Sequence, residues 1–449
     1  MKTRIIIALL GALPLLAQMG AGMGGFGGPA VLGRGVGSGT GQRGGADLGI
    51  GVFAGVMGTV DSGLSAFALD ADGNLSGAAA RGVDGFAGVF GSKQLRRGSF
   101  GINYVGHYRQ YTGAFARGFN GTDQSVSVFW SRQVSRRSLF AVHASGTTTN
   151  RPFGIGFVGG PINPFLNNAF APNGEIFDNR IYFASGGGEY TLQKSARLSF
   201  SLAGNGFITR RTGGVLFGVN GAFATANAAY RLSRRQTLSL GYQFIHFRFT
   251  RRFGDTYGHG VFGGYSAQLG RKAQIGFQAG AMQLESLGLT QVRVDPVIAA
   301  LIGVSSVSEV FYSKAWMPTG LAHFSYRVTR RHSFDASGGI MAMPGNGIIN
   351  TSRGTTIGAG YSYSGIRDWG LSAHSNYMRM ASRIGLAQNF SVHTTAFNAS
   401  RRITEALFFS ATGGQRRFLN SDTNTFRRNS FFATVGITWS PRAVPVSIR

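Results

Sequence analysis

Between Tyr230 and Phe247 the chain alternates. Leu238, Leu240, Tyr242 and Phe244 fall on one side of an extended strand, and Ser239, Gly241 and Gln243 on the other. A period of two with one apolar side and one small polar side predicts a β-strand between an apolar and a polar medium. A tight polar turn, Ser233-Arg234-Arg235, precedes it, and the same device recurs at Leu95 to Phe100, Gln133 to Leu139 and Arg327 to His332. After Phe244 the alternation slips, with Phe247 and Phe249 in place of the expected even positions, which predicts a β-bulge near Ile245.

The pattern spans most of the chain. It begins at Asp47, with Leu48, Ile50, Val52, Ala54 and Val56 on one face. Phe100, Ile102, Tyr104 and Tyr108 oppose Gly101, Asn103, His107 and Arg109; Leu198, Phe200 and Leu202 oppose Ser199, Ser201 and Asn205. Ile275 and Phe277 oppose Gln274, Gly276 and Gln278; Phe431, Ala433, Val435, Ile437 and Trp439 oppose Thr434, Gly436 and Thr438, and Phe432 breaks the rule. Strands of about 10–13 residues exceed those of soluble β-sandwiches and suit tilted strands that cross a bilayer. Tyr, Trp and Phe gather near strand ends, as at Trp130, Tyr190, Tyr230, Tyr326, Tyr363, Trp369 and Trp439.

Short turns centre near residues 96, 136, 195, 234, 271, 330, 367 and 401. Their spacing is roughly one hairpin plus one connection, apart from two longer gaps that hold irregular stretches, 150–178 and 286–314. Eight turns imply sixteen strands. A closed bacterial barrel needs an even number with both chain ends on the periplasmic side, so the strand near 430–440 pairs with the one from Asp47, and the count closes at eighteen, with sixteen as the alternative. The expected fold is therefore all-β, a closed antiparallel transmembrane β-barrel over 47–440 with short periplasmic turns and long extracellular loops.

Composition supports a membrane barrel over a soluble enzyme. Charged residues make up 14% of the chain, against about 25% in soluble domains, and Gly occurs 71 times. Lys2 and Arg4, an apolar run from Ile5 to Leu16 and small residues at Ala17 and Ala21 read as a signal peptide over 1–21. Residues 22–46 read as a Gly-rich flexible linker and 441–449 as a C-terminal extension. With no cysteine, lipoprotein processing, disulfides and thiolate metal sites are excluded.

The formal charge of +27 changes the picture less than its size suggests. The arginines stand in pairs at strand ends, without a basic helix or zinc spacing, so nucleic-acid binding is not expected. No cofactor or metal is expected, and no catalytic residues: the eight histidines are scattered, none in an HxxE or GxSxG context. His246 and His259, flanking Asp255, read as pore-lining or interface residues. The pore-lining set is Asn103, His107, Arg109, Asn205, Gln243 and Gln278, with Arg109 as the inward cation. Arg210, Arg211, Arg251, Arg252, Arg416 and Arg417, at the ends opposite the short turns, are candidates for lipopolysaccharide phosphates, which Arg matches bidentately.

In its signal, alternating strands, short turns, long loops and aromatic strand ends, the chain resembles the outer-membrane β-barrels of Gram-negative bacteria. The resemblance implies an outer-membrane location, contact with outer-membrane lipid and lipopolysaccharide, and insertion by the barrel-assembly machinery, with Trp439 in the terminal aromatic place. Positive mouths and a neutral lumen predict passive diffusion of small hydrophilic solutes with an anion preference. The alternatives are an exopolysaccharide-export barrel and a structural or adhesive surface barrel. The apolar piece Val297 to Val304 is either a pore constriction or a lid. The outward Ala222, Ala224, Ala226 and Ala228 offer a homo-oligomer wall or a thin lipid-facing strand.

Overall fold

The computed structural model describes residues 48–62, 79–112, 120–150, 180–212, 217–250, 253–295, 297, 303, 306–344, 351–382, 389–420, 426–441 and 444–446. In chain order the strands are β1 (Leu48–Asp61), β2 (Ala80–Leu95), β3 (Gly98–Thr112), β4 (Gly121–Ser135), β5 (Ser138–Thr149) and β6 (Ile181–Gln193). Then come β7 (Leu198–Arg211), β8 (Gly218–Arg231), β9 (Gln236–Thr250), β10 (Gly254–Leu269), β11 (Ala273–Arg293) and β12 (Ser306–Arg327). The last are β13 (His332–Met343), β14 (Ser352–Tyr363), β15 (Trp369–Ser382), β16 (Asn389–Arg402), β17 (Leu407–Asn420), β18 (Phe426–Trp439) and the short β19 (Val444–Val446).

Each strand from β1 to β18 pairs antiparallel with its sequence neighbours, and β1 also pairs with β18, from Ala54 opposite Trp439 to Asp61 opposite Phe432. The chain is a closed barrel of eighteen antiparallel strands. Closure leaves no open edge, the condition for β-structure in lipid, where each unpaired backbone group costs several kcal/mol. Within 441–449, β19 continues the seam by pairing Val446 to Val444 with Leu48 to Ile50. The stretches read as signal peptide and linker, 1–46, lie outside the described residues.

Seven of the eight short turns fall where the sequence places them; the eighth, expected near 401, lies at 403–406, because Arg401 and Arg402 still pair with Phe409 and Phe408 at the end of β16. Five share one chemistry. A Ser or Thr hydroxyl accepts the backbone N–H two residues on: Ser135 from Arg137, Ser195 from Arg197, Ser233 from Arg235, Thr329 from Arg331 and Thr404 from Ala406, at 3.1–3.3 Å. The hydroxyl replaces the missing ladder partner at the bend, and in the three Arg-Arg turns it leaves both guanidiniums at the tip, exposed.

Side chains alternate across the wall. On β3, Gly101, Val105, His107, Arg109 and Tyr111 are buried and Ile102, Tyr104 and Tyr108 exposed. The exposed face is apolar around the barrel, with Val56, Leu202, Leu240, Val261, Phe277, Phe397 and Phe431 among its members. The buried face is the inside.

Three expectations are corrected. No bulge occurs near Ile245: β9 keeps unbroken register with β8 and β10 from end to end. Phe247 and Phe249 sit on the inner face with Ile245, in an apolar cluster with Phe183, Phe207, Met282 and Met317. The sequence misleads here because aromatics occupy both faces. The stretch 286–314 is also mostly not irregular, since β11 runs to Arg293, β12 starts at Ser306, and Glu285 pairs with Lys314 in their continuous ladder. Of Val297 to Val304, only Val297 and Gly303 are described, and the stretch 150–178 lies outside the described residues but for Asn150. Thirdly, the inner face is not uniformly small and polar. Phe90 lies flat over Gly51 and Phe432 over Gly414, where a Cβ would collide with the ring, so part of the glycine surplus makes room for inward aromatics.

Candidate functional site in the barrel interior

The inner face at the end opposite the short turns divides into two arcs. One is charged and runs from β17 through β1 to β4. On β2 and β3, Asp84 accepts from Arg109 Nε at 3.0 Å and faces His107 Nδ1 at 3.1 Å. The Arg109 Nη2 pairs with Asp123 of β4. Asp123 also accepts from Thr149 Oγ1 and from the Asn150 backbone N–H, both at 3.0 Å. Asn150 Oδ1 in turn accepts from Arg180 Nε at 2.9 Å, and Arg180 donates to the Thr122 carbonyl at 2.8 Å. All of Asp84, His107, Arg109 and Asp123 are buried.

The second charged unit joins β17 to β1. Arg416 Nη1 and Nη2 both donate to Asp61 Oδ2 at 3.1 Å, over the intervening β18. The guanidinium lies 4.3 Å from the centre of the Phe432 ring on β18, which explains why Phe432 departs from the alternation. Both side chains of the pair are buried, which places the contact on the inner face of the wall.

The other arc, from β6 to β12, is apolar: Phe183, Phe207, Phe247, Met282, Leu284 and Met317 are buried there. At its edge the Thr256 hydroxyl on β10 lies 2.7 Å from that of Thr351, just before β14, and 3.1 Å from that of Ser286. The rest of the interior carries hydroxyl pairs across strands, such as Ser99 with Ser131 and Ser145 with Ser185, each at 2.7 Å.

Of the residues the sequence nominates, Asn103, His107, Arg109, Asn205, Gln243 and Gln278 all occupy inward register positions. His107 and Arg109 are brought together; the other four lie apart along the wall. The lipopolysaccharide candidates divide. Arg210 faces outward and donates to Asn220 Oδ1 at 2.7 Å, and Arg417 shares the outward register with His393. Arg211 and Arg416 are buried inside, Arg211 donating to the Phe217 carbonyl at 2.7 Å, so neither meets the outer face. Arg251 and Arg252 lie outside the described residues. His246 and His259 stand on the outer face, the first 3.5 Å from Asp255 and the second 2.5 Å from the Tyr242 hydroxyl, so neither lines the interior. Among the described residues no group of three His, Cys, Asp or Glu could hold a metal ion.

Sequence reasoning passed over Asp61, Asp84 and Asp123. A signal for them existed: the chain has only 17 acidic residues, and each of these three stands at an inward parity position of an alternating strand. The two rims also differ. At the short-turn rim Arg96, Arg97, Arg136, Arg137, Arg234, Arg235, Arg330, Arg331, Arg401 and Arg402 are all exposed. Acids enter these turns only at Asp368, which holds Arg402 at 2.5 Å, and Glu405.

No protein-family model matches the chain, and no curated protein matches it. In structure it is similar to OccK2 (OpdF) of Pseudomonas aeruginosa, at 11% identity over 88% of this chain and 99% of the other, with a TM-score of 0.44. It is similar to a BenF-like porin from Pseudomonas fluorescens Pf-5, at 10% identity over 89% of this chain and 99% of the other, with a TM-score of 0.43. It also matches the ferric citrate transporter FecA in its unliganded form, at 8% identity over 87% and 79%, with a TM-score of 0.42. These are likenesses of fold.

Proposed function

We propose that this chain is an outer-membrane channel for passive diffusion of small hydrophilic solutes, with a preference for anions set at its periplasmic mouth. The observation that carries the proposal is the wall itself. It is closed, apolar on the outside all the way round, and lined inside by hydroxyls, amides and ion-paired charge on one side and by an apolar arc on the other. An apolar outer band spans lipid, and eighteen strands enclose a width that admits water. Asn103, Asn205, Gln243 and Gln278 serve as neutral hydrogen-bonding positions along the path.

The source of the anion preference shifts from the sequence expectation. Arg109 is held between Asp84 and Asp123, and Arg416 is held by Asp61, so these two interior guanidiniums face carboxylates, while Arg211 donates to the Phe217 carbonyl. Ten exposed arginines stand at the short-turn rim, with acids in its turns only at Asp368 and Glu405, and this positive charge raises local anion concentration and fades as salt screens it. A polyanion-export conduit needs uncompensated cations ranked along the lumen, and the pairing of Arg109 and Arg416 argues against that reading.

The location and partners follow the same reading. The signal segment delivers the chain to the envelope, the assembly machinery inserts it, and Arg210 and Arg417, at outward register positions, meet lipopolysaccharide phosphates. No catalytic role is assigned. Planar-bilayer recording of the refolded protein tests the proposal. Expected are discrete conductance steps and an anion-selective reversal potential at about 0.1 M salt that weakens near 1 M, where the Debye length falls from about 10 Å to about 3 Å. A silent protein, or a cation-selective one, overturns it.

A further inference from the structure

The outer wall carries a feature that a channel does not require. Four successive register pairs, Leu198 with Tyr230, Tyr230 with Leu238, Leu238 with Tyr265 and Tyr265 with Phe277, set five residues in one row across β7 to β11. All five face outward. Beside the row the wall is thin at Ala228 and Gly263, on either side of the projecting Leu240, and the depression between these side chains forms an apolar groove of about 760 Å³. Tyr265 and Phe277 close one side, their rings 5.6 Å apart.

The row sits just inside three short turns. Tyr230 is one residue from the end of β8 and four from Arg234, at most about 14 Å of chain. Those turns present Lys194, Arg197, Arg234, Arg235 and Arg271, all exposed, and contain no acid. The neighbouring groups therefore ask for two things in one ligand: a negative head at the turns and long apolar chains against the wall. A second copy of the chain would bring the same cations to the same height and be repelled. Lipopolysaccharide belongs to the leaflet at the opposite rim.

We infer that this groove is a binding site for an anionic phospholipid of the periplasmic leaflet. Its phosphate is held by Arg234, Arg235 and their neighbours, and its acyl chains lie over Ala228 and Gly263. The inference rests on the membrane reading above, specifically that the apolar outer face meets lipid and the short turns face the periplasm.

Native mass spectrometry of the detergent-purified full chain tests it. The probes are phosphatidylglycerol, phosphatidylethanolamine with the same acyl chains, and glycerol 3-phosphate. Expected is a phosphatidylglycerol adduct retained about tenfold or more over phosphatidylethanolamine, with no comparable retention of glycerol 3-phosphate. The pair Arg234→Gln and Arg235→Gln, at exposed turn tips, lowers phosphatidylglycerol retention about tenfold or more, since each cation near a lipid surface contributes about a fivefold factor. Ala228→Trp, which fills the groove and leaves every charge in place, removes the adduct as well. Heat-modifiable gel mobility confirms that both variants fold.

Equal retention of the two lipids, or a phosphatidylglycerol adduct that survives both variants, overturns the inference. So does retention of glycerol 3-phosphate equal to that of the lipid, which would mean a free-phosphate site. Dimers or trimers that dissociate on Ala228→Trp would give the groove to a second copy and overturn it too. Loss of lipid preference with bilayer conductance intact would sink this inference and leave the channel standing.

Discussion

Arg416 on β17 reaches over β18 to Asp61 on β1, and the pair spans the seam where the first and last barrel strands meet. Both side chains are buried, and 355 positions separate them in sequence. The pair thus ties the end of the chain to its beginning on the inside of the wall, in addition to the backbone ladder that closes it.

Asp61→Asn should therefore destabilise the barrel strongly. It removes the carboxylate to which the buried Arg416 guanidinium donates twice, and breaking a buried pair typically costs about 3–5 kcal/mol. Replacing both partners by leucine should recover a large part of that loss, because a buried pair exchanged for apolar groups is often near neutral. Urea unfolding of the refolded protein, followed by Trp fluorescence, checks both. A single variant as stable as the parent would show that closure does not depend on the pair.

The triad on β2 to β4 makes a prediction about selectivity. Arg109 offsets two carboxylates, Asp84 and Asp123. Arg109→Gln should leave net negative charge inside and move the reversal potential toward cations. Asp84→Asn together with Asp123→Asn should do the opposite, releasing the guanidinium and strengthening anion preference. Reversal potentials across a salt gradient distinguish this from an inward cation acting alone, for which the double variant would change nothing.

If the periplasmic crown sets the anion preference, charge removal there should act only at low salt. Neutralising Arg96, Arg97, Arg330 and Arg331 to Gln should weaken anion selectivity at about 0.1 M and leave the value near 1 M unchanged, since exposed charges are screened over about 3 Å there. An effect of equal size at both concentrations would place the selective charge inside the wall instead.

What the sequence disclosed and what it hid divide along physical lines. Alternation and turn chemistry are local, so seven of the eight turn positions and the parity of the strand count were legible without any contact information. Beyond the apolar belt alternation no longer has two media to report, which is why β11 and β12 read as irregular where their ladder in fact continues. Phe247 and Phe249 imitated a slip because the inner wall is apolar on that arc. Arg109 was legible as inward, but its neutralisation was not, because Asp84 and Asp123 lie on other strands and only register brings them within reach.

The assignment of faces has its own test on β7, where neighbouring residues point to opposite media. Leu202 is 60% exposed on the outer wall, and Ser201 beside it faces in. Leu202→Arg should destabilise the folded barrel in phospholipid vesicles by about 2–4 kcal/mol, the cost of a cation near the bilayer midplane. Ser201→Arg should stay within about 1 kcal/mol of the parent, because its guanidinium enters a hydrated interior, as charges do near a bilayer interface. The ordering matters more than either figure: removing the vesicles for a mild detergent should shrink the Leu202 penalty and leave the Ser201 value where it was. Equal costs for the two substitutions would mean that the exposed apolar face does not meet lipid, and the channel reading would fall with it.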